Sequence, residues 1–156
     1  MTTRDPINPT DAEARALARQ ILRDARFGAL AVTHPDSGFP YVSRVAMIWH
    51  QGAIFTLIST LSTHTKALLS DPRCAALLGE PADKGDPLTH PRMTLTATAS
   101  EADKAALKTA WLTAIPKAQL YYDFADFRMV RLAITSADLN GGFGKAYRLA
   151  PEDLTT

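Results

Sequence analysis

The sequence predicts an α+β fold that is mainly β. It has about six or seven antiparallel strands and roughly three flanking helices, with the sheet closing into a barrel. Three observations carry this. The hydrophobic period changes from helical spacing to two-residue spacing after Arg26. Phe27–Thr33, Tyr41–His50 and Ala53–Thr60 are strand-like runs joined by short turns, which makes an antiparallel meander. Met93-Thr-Leu-Thr-Ala-Thr-Ala-Ser100 alternates apolar and hydroxyl residues almost throughout, as a half-buried strand does. Small antiparallel sheets remove their exposed edges by closing.

The elements follow in order. Thr10-Asp-Ala-Glu13 reads as a capping box, and Ala14, Leu17, Ala18, Ile21 and Ala25 recur at helical spacing to about Arg26. The polar face of this helix carries Arg15, Arg19 and Arg23, read as solvated. Phe27–Thr33 is the first strand, and Pro35-Asp-Ser-Gly38 is a turn. In Tyr41–His50, Val42, Arg44, Ala46 and Ile48 share one face and Ser43, Val45, Met47 and Trp49 the other. Gln51-Gly52 turns the chain into Ala53–Thr60. A short helix is predicted over Thr63–Leu69, closed by Asp71-Pro72, and a strand over Arg73–Gly79. Pro81–Pro91 is a loop. Ser100-Glu-Ala-Asp103 caps a helix to about Ala114, Pro116 ends it, and Lys117–Asp123 is a short further helix. Phe127–Thr135 alternates as a strand, Asp138–Gly144 turns, and Lys145–Leu149 is the last strand.

Composition narrows the function classes. The 156 residues, 46% apolar, fit one domain over residues 1–156 with residues 1–10 flexible, and no repeat or linker divides them. A net charge of +1 with dispersed charges argues against nucleic-acid binding by bulk electrostatics. No apolar run is long enough to cross a bilayer, and Met1–Asp11 has no signal-peptide core, so no membrane partner is expected. The one cysteine, Cys74, excludes an intrachain disulfide and suits a reducing cytoplasm. It lies in an apolar run and reads as a small buried side chain rather than a nucleophile. His34, His50, His64 and His90 show no zinc-ligand spacing, so no metal site is expected. Dinucleotide-binding, P-loop and nucleophile-elbow patterns are absent.

The stretch Leu61–Arg73 carries the chemistry. Ser62, Thr63, His64, Thr65 and Lys66 fall within about one helical turn, directly after an apolar strand. Free N–H groups and the positive end of the helix dipole would meet there, and His64 and Lys66 add positive charge, so the segment reads as a phosphate grip. A cap alone accounts for one or two of the hydroxyls, and a surface histidine for His64. Arg44 lies within a strand between Val42 and Ala46 on its own face, and needs either a partner or exposure. A phosphate shared with the Ser62–Lys66 turn would suit its planar guanidinium. Gly141-Gly-Phe-Gly144 holds more glycine than a turn requires, which leaves room for a flat ligand or a partner chain; a plain loop fits equally. Tyr121-Tyr-Asp-Phe-Ala-Asp-Phe127 reads as core or subunit-interface packing.

Taken together, Pro40–Val45, Leu61–Leu68 with Asp71–Arg73, Gly85–Leu88 with Pro91-Arg92, Tyr122–Phe127 and Gly141–Ala146 resemble the FMN-binding split-barrel family that includes pyridoxamine 5′-phosphate oxidase. The chain is most similar to the haem-utilisation branch. The resemblance implies a six-stranded antiparallel split β-barrel and a homodimer with FMN in clefts at the subunit interface. It implies that Arg44, Ser62 and His64 contact the FMN phosphate or ribityl chain, with Thr65 and Lys66 as further phosphate neighbours. Backbone around Val45, Ala46 and Met47, and around Ile58 and Ser59, would flank the flavin, and the Gly141–Gly144 loop would lie near it or near the ligand entrance. Related oxidases often have lysine where this chain has His64, which makes the grip pH-sensitive here.

Two departures shape the expected activity. Pyridoxamine phosphate oxidases carry Arg and His near the end that grip the substrate phosphate, whereas this chain has Gly-Gly-Phe-Gly-Lys-Ala-Tyr followed by Arg148. Vitamin B6 oxidation is therefore not expected. Some haem-degrading relatives take an iron ligand from an added C-terminal segment, and the last histidine here is His90, so haem ligation by that route is not expected either. The expectation is a cytoplasmic, homodimeric FMN-dependent oxidoreductase acting on a small molecule, with no general acid or base in evidence beyond Asp86 and Tyr122 as polar side chains to test. The alternative is a flavin- or haem-binding carrier, store or sensor without turnover. A structural dimer without cofactor would leave the Arg44 and Ser62–Lys66 pattern unexplained.

Overall fold

The computed structural model describes residue 3 and residues 5–155. Among these residues nine strands follow in order: β1 (Ile7–Asn8), β2 (Phe27–Thr33), β3 (Pro40–Ala46), β4 (Ile48–His50), β5 (Ala53–Ser59), β6 (Arg73–Leu78), β7 (Arg92–Glu101), β8 (Phe127–Asn140) and β9 (Ala146–Leu149). Four α-helices lie among them: α1 (Ala12–Asp24), α2 (Thr63–Ser70), α3 (Lys108–Ala114) and α4 (Pro151–Leu154). The fold is α+β and of the split-barrel type. The expected flexibility of residues 1–10 falls partly on residues 1, 2 and 4, outside the described residues.

The sheet is mixed. β1 pairs with β9 in parallel, and the remaining ladders are antiparallel, in the order β1-β9-β8-β7-β6-β2-β3 with β5 joining β8 and β4 joining β5. The expected strand Tyr41–His50 is parted at Met47. Residues up to Ala46 pair with β2, and residues from Ile48 pair with β5, so one length of chain serves two neighbours. Met47 itself donates its N–H to the Arg26 carbonyl at 3.0 Å. Among the described residues no ladder joins β3 to β5, and this is where the sheet stays open. Thr56, fully buried on β5, reaches across and donates its hydroxyl to the Ala46 carbonyl at 2.7 Å.

β5 is buried along both faces from Ala53 to Ile58, as its nearly unbroken apolar run anticipates. Ile54 and Ile58 face a barrel core with Leu30, Met47, Leu95 and Leu132, roofed by Ala18 and Leu22 of α1. Phe55 and Leu57 face a second core, where Trp111 of α3 and Tyr122 are almost completely enclosed.

Three expected boundaries move. Asp11, not Thr10, caps α1, accepting from the Ala14 N–H at 2.8 Å, while Thr10 donates its hydroxyl to the Arg148 carbonyl. The helix expected from Ser100 begins at Lys108, because Ser100 and Glu101 continue β7 by pairing with Arg131 and Val130. Asp103 still caps, accepting from the Ala106 N–H at 3.0 Å, but it caps only a turn. β8 runs on to Asn140 past a register shift opposite Thr96/Ala97, so Asp138 lies in a ladder and the turn shrinks to Gly141–Lys145.

Candidate functional site

The candidate site is built where β5 gives way to α2. Thr65 donates its hydroxyl to the Ser59 carbonyl at 2.5 Å, tying the first turn of α2 to the end of β5. Ser59 in turn donates to Asp126 Oδ2 at 2.7 Å, and the Thr60 N–H donates to the Asp126 carbonyl at 2.7 Å. The intervening segment is therefore pinned at both ends. Asp126 has this positioning role, which sequence reasoning missed; its signal was a second carboxylate in an otherwise aromatic run. Asp71 before Pro72 ends the helix.

Ser62 occupies the N-cap in extended conformation, and its hydroxyl makes no capping bond. It remains available at the helix end, where the first-turn N–H groups lack partners within the helix. His64 is half-buried within the first turn, with Nδ1 3.1 Å from Ser43 Oγ on β3. Burial pushes its pKa below the ordinary 6.5, so the imidazole is neutral at pH 7. Ser43 is the other residue that sequence reasoning missed. It stood out as a hydroxyl on the strand face shared with Val45 and Met47. Lys66 is exposed on the same helix.

The structure brings Ser43, Ser62 and His64 into one region but leaves Arg44 apart from them. Arg44 leaves β3 on the opposite face from Ser43. That face is open, the exposure that was one of the two expected outcomes for Arg44. Val42 is 62% exposed, and Arg44 lies over the Phe27 ring at 5.7 Å from its centroid. A cation–π contact and exposure stand where a polar partner would otherwise be needed. Since β3 ends the ladder path, Arg44 can share an anion with α2 only around the free edge of that strand. Val45, Met47, Ile58 and Thr65 are buried, whereas Ala46 and Ser59 are partly exposed. A mainly apolar cavity of about 90 Å³ lies between α2 and the β7–β8 ends, with Ile58, Leu68 and Val130 in its wall and the Glu101–Arg128 pair at 2.7 Å in its lining.

The remaining sequence candidates have structural roles. Asp86 is exposed and accepts from the Leu88 N–H at 2.9 Å, capping the short turn Pro87–Thr89. Tyr122 donates its hydroxyl to the Lys104 carbonyl, and burial, then Asp123 and Asp103, push its pKa up to about 12. Burial and Asp71 push Cys74 up to about 11. Gly141–Gly144 makes the β8–β9 turn with positive φ at Gly142 and Gly144, and Phe143 at its tip is 87% exposed. The aromatic run packs Tyr121 and Phe124 against Phe127 at 5.0 and 6.3 Å. No helix among the described residues is long and apolar enough to cross a membrane.

No family model matches the chain. It is 34% identical over 120 residues to the non-canonical heme oxygenase HOZ, chloroplastic, of Arabidopsis thaliana, covering 73% of this chain and 36% of that protein. Among solved structures, a heme binding protein from Mycobacterium smegmatis superposes with TM-score 0.83 at 28% identity, over 95% of this chain and 61% of that one. The chain thus spans about a third of the plant protein and three fifths of the mycobacterial one. A Clostridium acetobutylicum protein related to general stress protein 26, of the pyridoxinephosphate oxidase family, shares the fold with TM-score 0.71 at 12% identity, over 94% of this chain and 100% of its own.

Proposed function

This chain belongs to the pyridoxamine 5′-phosphate oxidase-like split-barrel family, on its haem-utilisation side, and on that premise we propose that it is an FMN-binding oxidoreductase acting on a small molecule. The observation that carries the reading is the start of α2, where an uncommitted Ser62 hydroxyl, the helix N–H groups, and His64 held by Ser43 converge. These residues fit a terminal phosphate. Ser62 donates a hydrogen bond, the helix end supplies oriented dipoles, and His64 gains a proton beside a dianion. Lys66 adds charge at the rim, and Arg44 joins around the β3 edge. FMN would supply the electron transfer, while this chain binds, orients and shields it. With Tyr122 and Asp86 engaged structurally, no side chain of this chain is assigned to proton transfer.

The reading includes a homodimer in the cytoplasm. The outer face of β2, β3 and β6 supports the dimer: Ala29, Ala31 and Ala75 make a flat centre flanked by exposed Phe27, Val42 and Leu77. A face of that kind is suited to a second copy. A second reading, a haem-binding or haem-degrading protein, is favoured by the two relatives whose names refer to haem. In it, haem carboxylates would take the place of the phosphate at α2.

Absorbance spectra of the purified protein titrated with FMN and, separately, with haemin distinguish the readings. The flavin reading predicts a perturbed flavin band that saturates at one FMN per chain. A shifted Soret band with no flavin response replaces it with the haem reading.

A further inference from the structure

Away from α2, the arginine row on α1 is not simply solvated. Among the described residues, Arg15 alone of the three meets a carboxylate, with its Nε 2.9 Å from Asp153 Oδ1. Arg19 donates from Nη2 to the Thr155 carbonyl at 3.0 Å, while its Nε is buried without a hydrogen-bond partner among the described residues. Arg23 donates to Gln20 Oε1 at 3.0 Å, and Gln20 in turn holds Asp24 at 2.8 Å. Asp153 lies close enough to Arg19 to feel its charge, and Arg15 already engages it. Among the described residues, two guanidiniums one helical turn apart thus form no ion pair of their own.

A cavity of about 350 Å³ opens beside them, walled by Arg19, Arg23, Trp49, Gln51, Gly52 and Leu154. Its size is at the lower end of small-molecule pockets. Trp49 is partly exposed, and the Gln51-Gly52 turn leaves the rim low. Paired guanidiniums suit a phosphate's several oxygens, an indole ring suits a flat apolar body, and the Gln51 amide can donate and accept. The pocket sits at the β4–β5 turn, whereas α2 begins beyond the other end of β5. A strand of that length separates them by roughly 20 Å.

We propose that the cavity between α1, the β4–β5 turn and α4 is a second ligand site, which takes a phosphomonoester carried on a flat ring, such as a nucleoside monophosphate. Arg19 and Arg23 hold the phosphate, and the buried Arg19 Nε gains the acceptor it lacks. The Trp49 ring stacks on the flat portion. This site is independent of what α2 binds.

The test is tryptophan fluorescence of the full chain titrated with AMP and, in parallel, with adenosine. Trp111 is fully buried and gives a constant background, so changes report Trp49. AMP gives a saturable change and adenosine binds at least about ten-fold more weakly, the loss expected when charge-assisted hydrogen bonds are removed. Arg19→Gln with Arg23→Gln weakens AMP by a similar factor with the circular dichroism spectrum unchanged. Trp49→Phe removes the optical signal, while calorimetry still detects AMP. His64→Gln leaves AMP affinity unaltered, which keeps the two sites distinguishable. AMP and adenosine binding equally, AMP producing no saturable change, or the folded double arginine variant binding AMP as the parent does would each overturn the proposal.

Discussion

Ser43 and His64 are far apart in sequence, yet their side chains meet at 3.1 Å and join β3 to α2. Burial favours the neutral imidazole, which gives His64 two measurable consequences. The first concerns stability. In the unfolded chain His64 titrates near its ordinary 6.5, and in the folded chain it titrates lower, so the unfolded state binds more protons in between. This contribution to stability is intact above about pH 6.5 and declines as pH falls toward the folded pKa. The slope of urea midpoint against pH across that window should be shallower in His64→Gln than in the parent. The second concerns the ligand. A phosphate dianion beside His64 favours imidazolium, so FMN affinity should rise as pH falls from about 8 to 6.5 in the parent and stay level in His64→Gln. For Arg44, substitution by alanine should weaken FMN by roughly 1.5–3 kcal/mol, the range for a hydrogen bond to a charged group. Unchanged affinity by titration would exclude Arg44 from the site. The cluster at the start of α2 was legible as a candidate because hydroxyls, His and Lys follow an apolar strand. Ser43 and Asp126 were not, since each acts through a residue distant in sequence.

At the scale of elements, local signals placed most strands and the first two helices, and failed where tertiary pairing overrode them. Ser100-Glu-Ala-Asp103 has the composition of a capping box, yet the ladder partners Arg131 and Val130 hold Ser100 and Glu101 in β7. Thr10 and Asp11 are both good caps, and the sequence could not rank them. Asp11→Ala should destabilise the fold by about 1 kcal/mol in a urea melt, whereas Glu13→Ala should do little, because Asp11 supplies the observed cap. The split at Met47 was also hidden, since nothing in Tyr41–His50 marks where one neighbour gives way to the other. Thr56→Val tests the crossing there. It removes the hydroxyl that the buried Thr56 donates to the Ala46 carbonyl and should cost about 1 kcal/mol with the fold retained.

At the scale of the whole molecule, the barrel core and the α3 core enclose β5 from both sides, which gives α2 and its first turn a rigid mount. The exposed face of β2, β3 and β6 was half-legible. Alternation gave the strand faces and put Arg44 beside Val42, but it left open whether that face met a partner or solvent, and the structure leaves it open to solvent. Val42→Arg should convert the proposed dimer to monomer by sedimentation without loss of secondary structure, because like charges would meet across a self-complementary patch. The central claim is that the start of α2 holds a phosphate. Fluorescence titration of the protein with FMN and with riboflavin, which lacks only that phosphate, tests it most directly. The account predicts FMN binding tighter by about ten-fold or more, with most of the difference lost in His64→Gln. Equal affinity for the two flavins would contradict it.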